Sequence, residues 1–245
     1  MSEYKPPALL IIIPCFNNWN FTKACLKDLE KLPNDHKIII VDNGSTDDTR
    51  TFESDEVIVI RHKENCGFAW ACNSAAEHAF LEIMPDNIMF LNNDIRVRSD
   101  YDTWTKPIIE AAQSGSYLVG PTLGVLDSNF NFVRETKKLP NSGHVYMSGW
   151  NITASRKTWS KFNGSDPQPI NHWHIWCNQY FAFFEDGDLS FEAQRRGIEL
   201  KVVDCPVQHF GHATAKKMNI SEMYKKSHAH FSEKWRKIIM EESLK

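Results

Sequence analysis

The sequence predicts an α/β domain with a central, mostly parallel sheet and helices on both of its faces. Two continuous apolar runs, at residues 8–13 and 37–41, are typical of strands that are buried on both sides. Helical patterns alternate with such strands, and this repeated order favours right-handed parallel crossovers. The length of 245 residues fits one domain of this kind.

Four strands separated by helices are predicted in the first part of the chain. The strands occupy residues 8–13, 37–41, 57–60 and 87–91, and the helices occupy residues 20–32, 46–52 and 67–83. Asn20 is a candidate N-cap of the first helix, because asparagine is favoured at that position. The order of these elements predicts that all four strands end at the same edge of a parallel sheet.

The pattern is looser in the second part of the chain. We expect helices at residues 100–113, 184–196 and 220–244, strands at residues 117–120, 145–154 and 200–203, and a hairpin within residues 126–139. Gly197 ends the second of these helices, since glycine is favoured just beyond a helix C-terminus. No linker composition interrupts the chain, so we expect a single domain.

Composition and charge exclude several classes of protein. The chain is 42% hydrophobic and 24% charged, as expected for a globular protein rather than a disordered or repetitive one. Its formal net charge is −3, whereas proteins that bind long nucleic acids through phosphates are usually basic. The six cysteines form no C-x-x-C motif, and we expect reduced thiols in a cytoplasmic protein. The apolar runs are strand-sized, so no membrane span or signal peptide is predicted.

Polar clusters follow the first four predicted strands, at the edge where ligands of open α/β sheets bind. They lie at residues 14–17, 42–45, 65 and 92–94. Asp42 can accept a hydrogen bond from a ribose hydroxyl or a base N–H. Asp94, with its neighbouring amides, suits a hard divalent cation that retains water ligands. Each cluster is also compatible with an ordinary turn at the end of a strand.

Three acidic residues, Glu185, Asp186 and Asp188, stand at the predicted start of a helix. The helix dipole favours carboxylates there, which explains one acid better than three. Crowded carboxylates under aromatic cover can shift the pKa values of one another, and one of them can then act as a general base. The cluster is therefore our candidate for catalysis.

Histidines and tryptophans flank this acidic cluster. His209 and His212 follow the last predicted strand and are either structural residues or contacts to a diphosphate or metal. Core packing is the default role of tryptophan, but aromatic faces also stack on sugars and bases. Our candidate acceptor-binding wall consists of Trp150, Trp173, His174 and Trp176.

Taken in order, these pieces resemble glycosyltransferase family 2. The matching segments are residues 13–17, 39–47, 65–69 with Asn73, 90–94, 185–190, and His209 with Thr214. The resemblance covers roughly residues 8–215 and looks closest to the bacterial rhamnosyltransferase-type members. It implies the GT-A fold, in which a Rossmann-like, mostly parallel sheet is flanked by helices and joined by a small acceptor-side subregion. Residues 8–98 would form the nucleotide-sugar-binding half, residues 99–215 the acceptor-binding and catalytic half, and residues 216–245 a C-terminal helical segment.

The resemblance also implies a role for individual residues. Asp42 would contact a uracil or thymine base, in a pocket lined by Pro14 and Phe16. Asp94 would hold Mg²⁺ or Mn²⁺ on the diphosphate, with His209 near the metal or the phosphates. Asp186 would be the catalytic base, Glu185 its neighbour and Asp188 the rival base. The remaining donor-binding candidates are Asn17, Asn43, Asn65, Gly67, Asn73, Asn92 and Asn93.

Two departures from the family pattern bear on function. Asn92 replaces the first acid of the D-x-D motif, which leaves one carboxylate fewer for the metal. Residues 167–178 are more aromatic than the usual Gly-Gly-Phe-Asp/Glu approach to the acidic cluster, and this difference bears on the class of acceptor.

The expected activity is inverting transfer of a sugar from a UDP- or dTDP-sugar to a hydroxyl group of a glycan, lipid-linked or protein acceptor, in surface polysaccharide or glycoconjugate synthesis. One alternative is glycosylation of a modified base in DNA, to which the lysines at 216, 217, 225 and 226 would contribute charge. Another is a non-catalytic nucleotide-sugar-binding protein with the same fold.

Two other enzyme classes are disfavoured. A nucleotidyltransferase is disfavoured because the first loop has neither glycine nor lysine. A dehydrogenase is disfavoured because no G-x-G-x-x-G motif follows a strand.

Overall fold

The computed structural model of the protein describes residues 5–33, 35–98, 103–141, 143–162, 175–211 and 220–244. The strands are β1 (Leu9–Cys15), β2 (His36–Asp42), β3 (Val57–Arg61), β4 (Asn87–Leu91), β5 (Ile95–Val97), β6 (Tyr117–Gly120), β7 (Leu123–Leu126), β8 (Phe132–Thr136), β9 (His144–Met147), β10 (Asn151–Ser155), β11 (Glu199–Val202) and β12 (Val207–His209). The helices are α1 (Trp19–Leu29), α2 (Phe68–His78), α3 (Lys106–Gln113), α4 (Arg156–Trp159), α5 (Glu185–Arg195) and α6 (Ile220–Ser243).

A seven-stranded sheet in the order β11-β6-β10-β4-β1-β2-β3 forms the centre of the molecule. Only β10 runs antiparallel to its neighbours, and the other adjacent strands are parallel. This confirms the prediction of a mostly parallel α/β sheet. The order also brings the ends of β1, β2, β3 and β4 to one edge, where the candidate site residues were expected.

Apolar cores on both faces of the sheet explain the continuous apolar run of β1. Leu10 and Ile12 of β1 face one core cluster, which includes residues of α2 and α5. Ile11 and Ile13 face the opposite cluster, which includes residues of α1 and α3. Because all four side chains are fully buried, the central strand must be apolar on both faces.

A second, three-stranded antiparallel sheet in the order β8-β7-β9 packs beside the first. A third apolar cluster joins this sheet to α5 and α6 through residues such as Leu126, Phe191 and Trp235. The C-terminal helix is therefore part of the core. Within the described residues, no helix combines the length and apolar composition needed to cross a membrane.

The predicted helix at residues 67–83 is confirmed, since α2 continues directly into a π-helical turn at Ala79–Ile83. Two other local predictions were wrong. The predicted strand at residues 145–154 is divided between β9 and β10, which belong to different sheets, because the chain turns at residues 148–150. Asn20 does not cap α1, since the N-cap residue is Asn18. The carboxylate of Asp47 instead accepts a hydrogen bond from the N–H of Trp19 at 2.9 Å.

Candidate active site

The loops after β1 and β2 are braced against each other at the edge of the sheet. Asn17 donates its backbone N–H to Ser45 Oγ at 2.8 Å. Its side-chain oxygen accepts from the N–H of Thr46 at 2.8 Å. Pro14, near the end of β1, and Phe16, in the loop that follows, are half-buried. These contacts bring together the residues that were expected to line one side of a nucleotide pocket.

Asp42 and Asn43 lie at the end of β2 and hold the neighbouring loop. Asp42 is buried, and its carboxylate accepts from the Ser45 N–H at 2.9 Å. The side-chain amide of Asn43 donates to Asn65 Oδ1 at 2.9 Å and to the Gly67 carbonyl at 3.1 Å. Four of the predicted donor-binding residues are thus connected, and we call this surface the donor rim: Asp42, Asn43, Asn65 and Gly67.

Gly67 joins this rim to the segment that precedes α5. Its φ of 90° lies in the region that favours glycine, and an added Cβ would lie 2.6 Å from the carbonyl oxygen of Phe181. The Phe68 N–H donates to the same carbonyl at 3.0 Å. Only glycine permits this approach, so the donor rim and the acidic segment are held in register.

Two predicted donor-binding residues face the protein interior instead. The side-chain nitrogen of Asn73 donates hydrogen bonds to the Trp176 carbonyl and to Asn178 Oδ1. Its side-chain oxygen accepts hydrogen bonds from the backbone N–H groups of Ile175 and Trp176. Asn93 is buried and donates to Thr22 Oγ1 at 2.9 Å. These contacts correct both assignments: Asn73 orders the segment at 175–178, and Asn93 anchors the end of β4 to α1.

Asp94, His209 and Asn92 converge although they are far apart in sequence. β5, which follows Asp94, pairs with β12, which ends at His209. His209 Nε2 lies 3.1 Å from Asp94 Oδ1 and 3.2 Å from Asn92 Nδ2. Trp150 stacks on the imidazole with ring centroids 5.1 Å apart. The pairing of two short strands therefore creates this group.

This group fits a divalent cation that is shared with a diphosphate. Mg²⁺ and Mn²⁺ prefer oxygen ligands such as the carboxylate of Asp94, and such a cation draws its other ligands from phosphate oxygens and water, with the imidazole of His209 beside it. Within the described part of the chain, no three histidine, cysteine or acidic residues cluster closely enough to form a metal site unaided. The group thus suits a metal that arrives with its nucleotide.

Asp186 is held at the start of α5 by backbone donors. Its Oδ2 accepts from the Gly149 N–H at 2.9 Å, and its Oδ1 from the Gly187 N–H at 2.8 Å. Burial raises the pKa of Asp186, although these two N–H groups stabilise its ionised form. Burial also raises the pKa of Glu185, and the negative charge of Asp186 raises it further. Asp186 is therefore an oriented carboxylate with increased basicity.

Asp188 does not share this environment. Its side chain is 2% exposed and accepts hydrogen bonds from Tyr180 Oη at 3.2 Å and Trp235 Nε1 at 2.8 Å. Its Oδ1 also lies 2.7 Å from the Lys234 ammonium. Asp188 is thus an anchor between α5 and α6, which corrects its assignment as a rival base.

A strained segment leads into Asp186. Phe183 and Phe184 have φ values of 68° and 67°, which cost roughly 1–3 kcal/mol each for side chains of this kind. α6 holds the segment in place, since Phe184 packs on Phe231 and the Ser227 hydroxyl donates to the Ala182 carbonyl at 2.7 Å. The C-terminal helix therefore helps to fix the position of the acidic residues.

A cleft of about 1000 Å³ connects the start of α5 with two members of the group around Asp94. Asn92, Trp150 and His209 line it together with Glu185 and Asp186. Several other lining residues carry no signal in the sequence pattern, and they come from β8, β9, α6 and the segment before α5: Phe132, Glu135, Tyr146, Phe183 and Tyr224. The carboxylate of Asp186 thus shares one space with Asn92 and His209, and Asp94 lies behind His209, with its Oδ1 3.1 Å from His209 Nε2.

The predicted aromatic wall is only partly present. Trp150 lines the cleft. Trp176 is 1% exposed and packs edge-on against Phe68 and Phe90, so it belongs to the core and cannot stack on an acceptor. Trp173 and His174 lie outside the described residues.

Gly149→Ala should displace Asp186 and lower activity without unfolding the protein. The added Cβ would lie 3.0 Å from Asp186 Cβ and 3.1 Å from its Oδ2, so the carboxylate must move by a few tenths of an ångström. We expect kcat to fall roughly ten- to a hundredfold, as for other small misplacements of catalytic groups. Steady-state kinetics and thermal unfolding would measure the two effects. Unchanged kcat would contradict the proposed position of Asp186.

Comparisons with known proteins identify the family of the chain. The model of the family described as Glycosyl transferase family 2 matches residues 10–181. Uncharacterized proteins of Mycobacterium bovis and Mycobacterium tuberculosis are 26% identical over 218 residues, which cover 85% of this chain and 76% of theirs.

Solved structures support the fold. A mannosyltransferase of Pyrobaculum calidifontis in complex with GDP-Man and Mn²⁺ has a TM-score of 0.57 at 15% identity, covering 82% of this chain and 55% of that one. Residues 1–349 of S. aureus TarS in complex with UDP give a TM-score of 0.56 at 15% identity, covering 81% and 59%. The chain spans little more than half of either solved chain, and similarity at this identity shows the fold alone. With the family model matched over most of its length, the chain belongs to glycosyl transferase family 2 and is a glycosyltransferase with the GT-A fold.

Proposed function

We propose that the protein is a metal-dependent, inverting glycosyltransferase that moves a sugar from a UDP- or dTDP-sugar to an acceptor hydroxyl. The observation that carries this proposal is the common cleft, which Asp186 lines together with Asn92 and His209. A base for the acceptor and a site for the leaving diphosphate then face the same space. The complexes of the structural neighbours with GDP-Man and Mn²⁺ and with UDP support such a donor.

The donor nucleotide would bind along the rim formed by the loops after β1 and β2. Asp42 would contact the base, with Pro14 and Phe16 beside it and Asn17, Asn43, Asn65 and Gly67 shaping the loops. The preference for uracil or thymine and the likeness to rhamnosyltransferases remain predictions, as does the cytoplasmic location. Surface polysaccharide or glycoconjugate synthesis remains the proposed context.

In the proposed mechanism, Asp186 removes the proton from an acceptor hydroxyl. The hydroxyl oxygen attacks the anomeric carbon, the bond to the nucleoside diphosphate breaks, and the proton stays on Asp186. Gly149 orients the carboxylate, and burial makes it a stronger base than an exposed aspartate. A divalent cation held by Asp94 and His209, with Asn92 beside it, would stabilise the negative charge of the leaving diphosphate.

The two alternatives are less well supported. A base in DNA would bring backbone phosphates next to the reacting group, where Glu135 and Asp186 lie and where the described lining residues include no lysine or arginine. A non-catalytic binding protein would have no need of the oriented carboxylate at Asp186. Both alternatives therefore leave features of the cleft unexplained.

Calorimetric titration with UDP, dTDP, GDP and CDP, each with and without Mn²⁺, tests the donor site. We expect UDP or dTDP to bind at least about tenfold more tightly with Mn²⁺, a difference of roughly 1.4 kcal/mol. His209→Ala should remove most of this metal effect while leaving metal-free binding in place. If the folded protein bound none of the four nucleotides, the transferase mechanism would have no donor site.

A further inference from the structure

The part of the cleft around Asp186 has a distinctive lining. We define the acceptor end as Phe132, Glu135, Tyr146, Phe183 and Tyr224, which line the cleft beside Glu185 and Asp186. β8 and β9 contribute three of these residues, the segment before α5 one, and α6 one. None of the five belongs to the donor rim or to the group around Asp94.

The polar groups of the acceptor end are one carboxylate, which accepts hydrogen bonds, and the hydroxyls of Tyr146 and Tyr224, which can donate or accept them. Glu135 accepts from the Ser148 hydroxyl at 3.3 Å, which leaves other lone pairs of its carboxylate for a ligand. Burial and the nearby charges of Asp186 and Glu135 raise the pKa of Tyr146, so its hydroxyl stays protonated. One buried oxygen of Glu185 has no hydrogen-bond partner among the described residues.

The charge of this region is negative. Glu135 and Asp186 supply this charge, whereas burial and the charge of Asp186 raise the pKa of Glu185 to about 8, so Glu185 is mostly protonated near neutral pH. Neither lysine nor arginine is among the described residues that line the cleft. Repulsion between like charges is strong at such separations when water is partly excluded. A phosphate or carboxylate group next to the reacting hydroxyl would therefore be rejected.

The remaining surface is aromatic. Phe132 is 49% exposed, although it is a large apolar side chain on a strand. The rings of Phe183 and Tyr224 pack at 5.7 Å in a T-shaped arrangement, which braces both of them at the cleft. Rigid aromatic faces beside a few convergent polar groups are typical of small-molecule sites, and they suit the apolar C–H face of a sugar ring.

We infer that the acceptor end binds an uncharged sugar ring, whose face stacks on the aromatic side chains and whose hydroxyls donate to Glu135 and Asp186. This inference rests on the proposed function, because it names the acceptor class of the same site. Two neighbouring hydroxyls then have separate roles, since one reaches Asp186 to react and the other fixes the ring at Glu135.

Saturation-transfer NMR on the full chain tests the inference without a known donor. The probes are methyl glucoside, methyl galactoside and methyl mannoside, each compared with methyl glucuronide and glucose 1-phosphate, with and without UDP and Mn²⁺. We expect signal from at least one neutral glycoside and none from the two anions. Tyr224→Ala should weaken the neutral ligand about tenfold. Trp70→Ala, which removes a 48% exposed tryptophan outside the cleft, is the matched control and should have no effect.

A charge reversal provides a gain-of-function test. Glu135→Lys should admit methyl glucuronide and weaken the neutral glycosides, because the ammonium would attract the carboxylate. Equal binding of neutral and anionic probes to the unaltered protein, or no neutral binding, would overturn the inference. If UDP binds but no neutral glycoside does, the proposed function stands and the inference fails. If glycosides bind and no nucleotide does, the proposed function fails, and the sugar site exists but is not an acceptor site.

Discussion

Asp186→Asn should lower the rate of sugar transfer by about 10³-fold, the usual contribution of a general base, and leave donor affinity nearly unchanged. The asparagine oxygen can still accept the Gly149 N–H, so the start of α5 should keep its position. The amide cannot take up the proton of an acceptor hydroxyl. Transfer rates at saturating donor, together with calorimetric donor affinity, would separate the two effects. Full activity would remove Asp186 from the mechanism.

The pH profile provides an independent check on the same residue. The base must be ionised to act, and burial raises the pKa of Asp186. Activity should therefore be lost as pH falls through a value above about 3.9, the pKa of an exposed aspartate. Glu135 adds a charge that raises the pKa of Asp186, so Glu135→Gln should move this acid limb to lower pH. An acid limb that stays in the same place would indicate a different base.

The fold was largely predictable because its strands are buried on both faces. A strand such as β1 has to be apolar on both faces, and the resulting continuous run of apolar residues is readily recognised in the sequence. The same sheet brings the ends of β1 to β4 together, so Asp42, Asn92 and Asp94 could be grouped from their positions alone. The hydrophobic pattern of the strands and the strand order of the sheet therefore predict the same location for the site, at the carboxyl ends of β1 to β4.

Other parts depended on tertiary contacts that leave no local signal. His209 reaches Asp94 only because β5 and β12 pair, and each of these strands has three residues. The single predicted strand at 145–154 is divided because the Gly149 N–H turns towards Asp186. The roles of polar residues within motifs were also ambiguous. Asn73 and Asp188 are of the expected residue types, but their side chains form hydrogen bonds within the protein. Glu135 and Tyr224 lie on elements whose sequences resemble ordinary surface.

Lys234→Met should destabilise the fold by about 3 kcal/mol, because it leaves the buried carboxylate of Asp188 without its counter-charge. Lys234 Nζ lies 2.7 Å from Asp188 Oδ1 and 3.4 Å from Glu192 Oε1. Urea unfolding would measure the loss. Lys237→Met is the matched control, since Lys237 is exposed on the same helix, and it should change stability by no more than about 0.5 kcal/mol.

The pH dependence of the Lys234→Met deficit distinguishes an unpaired charge from lost packing. Burial raises the pKa of Asp188 even with Lys234 present, and without the ammonium the folded-state pKa must rise further. A group whose pKa is raised by folding favours the folded state at low pH and loses that contribution as pH increases through the folded-state pKa. The deficit relative to the unaltered protein should therefore be full at pH 7 and shrink towards pH 4, near the pKa of about 3.9 in the unfolded chain. A deficit independent of pH would show that Lys234 acts through packing of its side chain on Trp235. Since α6 also holds the strained segment before Asp186, the variant should lose kcat at pH 7 even under conditions where it remains folded.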